Sequence, residues 1–220
     1  MDLDTLTALQ TEKIWEEDGV PVLRAAVSLP QTDGRGRRAR RFNRYYRRFL
    51  RAFLLYCEHA LLPEARASLH AALSASLPFS PRQVTLRFTV TWRGGGLLSL
   101  VLDAEEPGLT VRRADTWDLV SGLPVPLSEF FPPKTPLRTR LGRAAREELA
   151  RRQEHSGAVW REDSRRMLRR ALNTRSFYLS ESGLCFFYPM YALADASAGI
   201  VTFTLPYDAA DGPFPPVPPA

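Results

Sequence analysis

A run of aromatic residues at helical spacing is the strongest constraint on how this chain can fold. Between residues 42 and 57, large apolar side chains recur at intervals of three and four, which places them on one stripe of an α-helix. They are Phe42, Tyr45, Tyr46, Phe49, Phe53, Tyr56 and Cys57. The stripe predicts a helix over about 37–61 that packs against a sheet. We expect Pro63 to end it and to begin a second helix.

The hydrophobic period changes from helical to extended at residue 83. The segment QVTLRFTVTW alternates apolar and polar residues, as a half-buried strand does. Turns at 93–96 and 121–122 separate it from two further strands. Upstream, residues 11–18 and 20–29 predict two extended segments, the second with apolar side chains on much of both faces. These segments favour an antiparallel meander over βαβ units.

The C-terminal half adds two helices, a hairpin and a last strand, expected at 137–154, 161–172, 177–191 and 198–207. The predicted fold class is therefore α+β, with an antiparallel sheet (meander plus C-terminal strands) flanked by about four helices. We expect one domain over 1–207, with helices and a strand pair in 11–82 and a sheet-rich half in 83–207. Residues 208–220 are rich in proline and predict a mobile tail. An alternative is that this tail docks in an aromatic groove as a polyproline helix.

Composition excludes several classes of protein. A chain of 220 residues that is 45% hydrophobic, with 12 Phe, 7 Tyr and 4 Trp, has enough apolar side chains for a core, so it is not wholly disordered. No apolar run approaches the ~18 residues of a membrane span. The acidic N-terminus does not resemble a signal peptide, so we expect a cytoplasmic protein. The two cysteines, Cys57 and Cys185, lie in apolar runs and predict buried thiols.

The residues that carry catalysis or bind metals form no recognisable motif. His59, His70 and His155 have neither the spacing nor the cysteines of a zinc site, and no Gly-x-Ser-x-Gly elbow occurs. The RGGG segment at 93–96 lacks the Gly-Lys-Ser/Thr ending of a phosphate-binding loop. Neither a metal nor a cofactor is expected. One enzymatic alternative remains: acids such as Asp103, Asp115 and Asp118 flank the meander strands and could act on a cell-wall sugar.

Two surfaces are candidates for ligand binding. Residues 35–53 contain nine arginines and no acid, in a chain of net charge +6. At about 100° per residue, five of these arginines fall opposite the aromatic stripe, so they predict either a solvated helix face or a surface for an acidic partner. A cluster of aromatic residues in the C-terminal half offers tyrosine and tryptophan side chains suited to sugar stacking or a protein contact. The candidate ligand-binding residues are Arg40, Arg44, Arg47, Arg48, Arg51, Trp117, Tyr188 and Tyr191.

The C-terminal half also resembles a known family. The segment DTWDLVSGLPVPLSEFF contains a polar strand, a Ser-Gly turn and an apolar stretch that ends in Phe-Phe. The terminal segment has a matching spaced pattern, consisting of Phe177, Tyr178, Leu179, Gly183, Phe187, Tyr191, Ala198, Gly199, Phe203, Pro206 and Tyr207. Together these resemble the bacterial domain of unknown function at the C-terminus of the lysozyme-sensing anti-sigma factor RsiV and of some peptidoglycan deacetylases. FNRYY at 42–46 is similar to the helix that precedes this domain in family members.

The resemblance spans about 20–207 and implies an antiparallel sheet flanked by helices. The chain departs from the family in having glycines but no histidine after the first meander strand, and in lacking both a membrane helix and a deacetylase domain. We therefore predict a non-catalytic binding module for a protein or glycan-like ligand. The alternatives are a polyanion- or nucleic-acid-binding protein that uses Arg37–Arg51, and a cell-wall sugar hydrolase.

Overall fold

The computed structural model describes residues 5–155, 159–209 and 212–216. The chain divides into two compact units. Unit 1 consists of Met1–Phe88 and Asp103–Gly108, and unit 2 of Thr89–Leu102 and Leu109–Ala220. Within the described residues, no helix is both long enough and apolar enough to cross a membrane.

A six-stranded sheet follows the order β1-β2-β3-β4-β5-β6. Its strands are β1 (Leu6–Glu17), β2 (Val20–Thr32), β3 (Arg82–Gly94), β4 (Leu97–Glu106), β5 (Leu109–Asp118) and β6 (Leu123–Pro124). Asp18 and Gly19 join β1 to β2, both with positive φ (50° and 79°), which suits a two-residue hairpin turn. On β2, Leu23, Ala25 and Val27 are buried, whereas Arg24 and Ala26 are exposed. The prediction that much of both faces of this strand is covered is therefore wrong for its middle.

The pairing of β2 with β3 corrects the predicted topology. β1 and β2 are antiparallel, as are β5 and β6, but β2 and β3 are parallel, with Ala25 opposite Val84. A parallel pair needs a long crossover, and the helical segment between the two strands supplies it. The sheet is therefore mixed and contains one βαβ unit, which the antiparallel prediction missed.

The crossover consists of two α-helices that a π-helical segment joins without a break. It consists of α1 (Arg37–Tyr56), a π-helical segment (Cys57–Leu61) and α2 (Leu62–Ser74). Pro63 lies in the first turn of α2, where the missing N–H of proline costs little. Burial continues through the junction at Cys57, Leu61 and Leu62, so packing holds the chain helical. Pro63 therefore does begin a second α-helix, as predicted, but the chain stays helical through the junction. With the crossover counted as one helix, the described residues contain three helices rather than about four.

Unit 2 contains the remaining elements. These are α3 (Leu137–His155), α4 (Ser164–Arg170), β7 (Phe177–Ser180), β8 (Gly183–Phe187) and β9 (Thr202–Leu205). The last three form a separate three-stranded antiparallel sheet with β8 in the centre, whereas the sequence predicted that they extend one sheet. A core of side chains from this sheet, α3, α4 and residues 127–131 fills the unit. The described part of the Pro-rich tail, residues 212–216, contains the buried prolines Pro213 and Pro216.

Candidate functional site

The aromatic face of α1 fixes which way its arginines point. Phe42, Tyr46 and Phe53 are buried, and the rings of Phe42 and Tyr46 meet edge to face with centroids 4.8 Å apart. Such edge-to-face ring pairs add to the stability gained from burial. The opposite face of the helix is thereby turned to solvent.

A side-chain clamp further fixes the rotation of α1. The Asn43 side-chain amide donates to the Thr32 carbonyl at 2.8 Å, and the Thr32 N–H donates to Asn43 Oδ1 at 3.0 Å. Because the nitrogen and the oxygen of the Asn43 side-chain amide both bond the end of β2, a rotation of the helix would break two hydrogen bonds at once.

Five exposed arginines form what we call the arginine stripe: Arg40, Arg44, Arg47, Arg48 and Arg51. They recur every three or four residues, so they occupy one face of the helix over about three turns. Among the residues that the structure describes, none of the five forms a salt bridge. The first turn of α1 contains no acid either. The stripe is therefore a row of positive charge without a partner in this part of the chain.

Several carboxylates of unit 1 are engaged elsewhere on the helical segment. Glu58 accepts from Lys13 Nζ at 2.5 Å and from Trp15 Nε1 at 3.3 Å, and these bonds lower the pKa of its carboxyl group. Arg82 bonds Glu64 at 2.6 Å and Glu106 at 2.8 Å. The pairs that Glu58 and Glu64 form tie the helical segment to the sheet, and none of these carboxylates pairs with the stripe.

Leu55 continues the line of the stripe at its C-terminal end. It follows Arg51 by four residues and Arg44 by eleven, so it lies on the same helix face, and it is 45% exposed. The next residue, Tyr56, is exposed to the same extent, and its hydroxyl donates to Glu106 at 3.1 Å. The stripe thus ends at an apolar side chain.

The predicted aromatic surface is not at the surface. Trp117 is 1% exposed and Tyr188 is 0% exposed, so neither can contact a ligand, and their assignment to a ligand-binding surface is wrong. The Tyr188 hydroxyl donates to the Leu168 carbonyl at 2.8 Å, and burial raises the pKa of this tyrosine. Tyr191 is 42% exposed and adopts φ = 65°.

Two of the three proposed catalytic carboxylates, Asp115 and Asp118, serve local structure. Asp115 pairs with Arg113 at 3.2 Å, and Asp118 accepts from the Val120 N–H at 2.7 Å. Both lie on β5, three residues apart, so they point to opposite faces of the strand. They cannot form the pair of acids that sugar hydrolysis needs. The third proposed acid, Asp103, lies on β4, in the part of this strand that belongs to unit 1.

The cysteines and histidines form no reactive cluster among the described residues. No group of three or more His, Cys, Asp or Glu side chains there could hold a metal ion. Cys57 is buried, and burial raises its pKa to about 11. Cys185 is buried as well, with the hydroxyls of Ser180 and Thr204 each 3.4 Å from its sulfur. His59 and His70 are exposed, and the side chain of His155 lies outside the described residues.

The sequence did not predict a shallow groove on the open face of the larger sheet. Its volume is about 410 Å³, and it is lined by Gln10, Thr11, Glu12, Ala26, Val27, Ser28 and Arg87. Arg24 pairs with Glu12 beside it at 3.2 Å. Exposed polar residues at alternate positions of β1 and β2 were the signal that could have indicated this face.

Comparisons with known proteins place the fold. The chain is similar in its α+β fold to two crystal structures of DUF3298 family proteins. A member from Bacteroides fragilis is 14% identical with a TM-score of 0.66, covering 96% of this chain and 94% of that chain. A family protein from Pseudomonas aeruginosa is also 14% identical with a TM-score of 0.63, covering 98% and 97%.

The family signal in the sequence itself is shorter. Residues 128–208 match the family described as "Protein of unknown function (DUF3298)". This segment holds Phe130, α3, α4 and the three-stranded sheet, and it includes much of the stretch in which the spaced pattern of core residues was recognised. A comparison with curated proteins finds no match.

Proposed function

We propose that this chain is a non-catalytic binding module that holds an acidic protein partner through the arginine stripe. The observation that carries the proposal is the row of five exposed arginines on one helix face, none with a carboxylate partner among the described residues. Each guanidinium presents a planar fork of donors that matches a carboxylate. A partner with acids at a similar spacing would pair with several arginines at once.

The stripe destabilises its own helix in the absence of a partner. Arg44 lies three or four residues from Arg40, Arg47 and Arg48, and Arg51 lies in the same relation to Arg47 and Arg48. Like charges at these spacings oppose helix formation. The carboxylates of an acidic ligand would offset this repulsion, so binding and helix stability would favour each other.

Two features favour a protein over a nucleic acid as the partner. Leu55 adds an exposed apolar side chain in line with the arginines, and protein interfaces combine arginine with apolar anchors. Base stacking would need aromatic rings on the same surface, but Phe42 and Tyr46 are buried on the other face. Asn43, the one amide side chain of α1, is used by Thr32, so it is not available to read a base.

The resemblance to the C-terminal domain of RsiV is compatible with this proposal, because it implies a domain that recognises another protein. Lysozyme itself is strongly cationic, and a chain of net charge +6 would repel it at long range. The proposal therefore keeps protein recognition and assigns an acidic partner in place of a basic one.

Fluorescence anisotropy with a designed probe tests the proposal. The probe is an 18-residue helical peptide with glutamates at the spacing of the arginines and one leucine in line with them. We expect Arg44→Glu, Arg48→Glu and Arg51→Glu together to weaken its binding at least tenfold, because pairs worth up to about 1 kcal/mol each become repulsive. The matched control reverses three exposed arginines of unit 2: Arg165, Arg169 and Arg170.

Two further variants separate the alternatives. Leu55→Ala should weaken peptide binding, whereas Leu73→Ala, at another exposed leucine, should not. If the control triple reversal weakens binding as much as the stripe reversal, net charge alone explains it, and the stripe is not the site. If heparin and random duplex DNA bind through the stripe more tightly than the peptide and Leu55→Ala has no effect, the polyanion alternative replaces the proposal.

A further inference from the structure

The segment Gly212–Pro216 has the sequence of a polyproline helix. Pro213, Pro215 and Pro216 each have φ fixed near −65°. The residue before a proline is pushed to extended or polyproline backbone angles, and in this segment that applies to Gly212, Phe214 and Pro215. These constraints favour the left-handed helix with three residues per turn before any tertiary contact forms.

Burial along this segment follows the same three-residue period. Pro213 and Pro216 are buried, whereas the two residues between them, Phe214 and Pro215, are exposed. Phe214 is 51% exposed, although it is the largest side chain of the segment. A segment that collapsed for hydrophobic reasons alone would bury the phenylalanine. The two prolines, one turn apart, are therefore the side chains that dock.

The one backbone donor between Pro213 and Pro216 is also used. Proline has no N–H, so Phe214 supplies the only N–H of these four residues. It donates to the Phe130 carbonyl at 2.7 Å. Docking thus combines two prolines on one face with one hydrogen bond to the backbone. Proteins that bind Pro-x-x-Pro ligands likewise receive a preformed polyproline helix.

Gly212 sets the path by which the chain enters this contact. Its N–H donates to the Ala209 carbonyl at 2.6 Å. A Cβ at this position would lie 2.6 Å from the Pro206 carbonyl oxygen and 3.0 Å from that of Ala209. Only glycine fits without a backbone shift, so the close approach selects this residue.

From these observations we infer that unit 2 carries a docking surface for a Pro-x-x-Pro segment, and that residues 213–216 are its resident ligand. The surface lies beside Phe130 in unit 2, whereas the arginine stripe belongs to unit 1. Because the resident segment is tethered, its effective concentration at the surface is on the order of millimolar. It therefore excludes a weak ligand of the same kind until its own docking is weakened. The ligand class of the surface is a polyproline helix, and this chain's own C-terminal segment is the occupant.

The test uses the full chain and the segment as a separate peptide. The probe is the labelled peptide GPFPPVPPA, which corresponds to residues 212–220. Replacing Pro213 and Pro216 by Ala in the full chain weakens the resident segment and should open the surface. We expect this variant to bind the peptide at least tenfold more tightly than the unmodified chain does. The exposed Pro215 provides the control, because Pro215→Ala should leave the resident segment docked and peptide binding weak.

A peptide with alanine at the positions of Pro213 and Pro216 should bind neither chain. The inference is overturned if the double variant melts like the unmodified chain yet does not bind the peptide, or if the alanine peptide binds as well as the original. If the double variant does not fold, amide hydrogen exchange in the unmodified chain tests whether residues 213–216 are docked. Protection of the Phe214 N–H supports docking, and exchange at the rate of an unstructured peptide refutes it.

Discussion

Reversing the charge of Arg44 should stabilise the chain, although it damages the proposed binding surface. Arg44 lies three or four residues from four other arginines on α1: Arg40, Arg41, Arg47 and Arg48. Each such pair destabilises the helix at present, and a glutamate at position 44 would turn all four into attractive pairs. Arginine and glutamate have similar helix propensities, so the change acts mainly through charge.

The magnitude follows from the number of pairs. A pair at this spacing contributes about 0.2–0.5 kcal/mol in either sign, so each reversal changes the free energy of unfolding by about 0.4–1 kcal/mol. Four pairs give about 1.5–4 kcal/mol at low ionic strength. For a chain of this length, 1 kcal/mol corresponds to about 2–4 °C in the melting temperature. We therefore expect Arg44→Glu to raise the melting temperature by at least about 3 °C.

Thermal unfolding followed by circular dichroism at 10 mM and 300 mM NaCl measures this effect. The gain should shrink at the higher salt concentration, because exposed charges are then screened. Arg44→Gln removes the repulsion without adding attraction, so it should give about half the gain. If Arg44→Glu melts at or below the temperature of the unmodified chain at low salt, the stripe carries no charge strain, and the argument that it awaits an acidic partner loses its energetic basis.

Two further predictions concern residues outside the stripe. In the folded chain the pKa of Cys57 is about 11, against an ordinary value of 9.0, so folding favours the protonated thiol. The free energy of unfolding should therefore fall as the pH rises from 9 to 11. Denaturant titrations at each pH would measure this fall, and Cys57→Ala should give a flatter profile. Gly183→Ala should cost on the order of 2 kcal/mol or more, because φ is 155° and a Cβ would lie 2.2 Å from the Leu205 carbonyl oxygen. Gly142→Ala, in α3 with nothing within 4 Å, should instead stabilise by about 0.5–1 kcal/mol, since alanine is the better helix former; equal effects at the two glycines would contradict this reasoning.

The helical half of the fold was predictable where one face carries a strong pattern. Phe42, Tyr46 and Phe53 recur at the helical period, and that period alone places the arginines on the opposite face. The sequence predicted that Pro63 begins a second helix, but it did not predict that the backbone stays helical through the junction, because proline is tolerated in a first turn and yet follows a break in most contexts. The outcome depended on Cys57 and Leu61, whose burial against the sheet holds the chain helical through the π segment.

Strand pairing was less predictable because it depends on distant residues. Alternation identified β3 as a strand, but the pattern is the same whether its neighbour is β2 or a strand later in the chain. Only the path of the helical crossover, which no local signal encodes, makes β2 and β3 parallel neighbours. The same limit hid the separation of β7, β8 and β9 into a sheet of their own.

Of the two candidate binding surfaces, the arginine stripe was predictable from the sequence and the aromatic surface was not. The aromatic cluster was assigned partly to the surface because a strand in a one-sided sheet exposes alternate residues. All five residues of β8 are buried, since this strand lies between β7 and β9 and is covered on both faces. Trp117 in β5 and Tyr188, directly after β8, are also buried in the core. Alternation predicts exposure only when one face of the sheet is open, and the sequence does not show which sheets have an open face.

The π-helical segment at Cys57–Leu61 gives the arginine stripe a defined length. A π turn takes one more residue than an α turn, so the residues after it point in different directions from those that an unbroken α-helix would place in line with Arg51 and Leu55. The stripe cannot be extended along α2 by further arginines at the same spacing. From Arg40 to Leu55 it measures about 22 Å at 1.5 Å per residue. The length of the stripe therefore sets the length of a complementary partner segment, which needs acidic groups over about four helical turns.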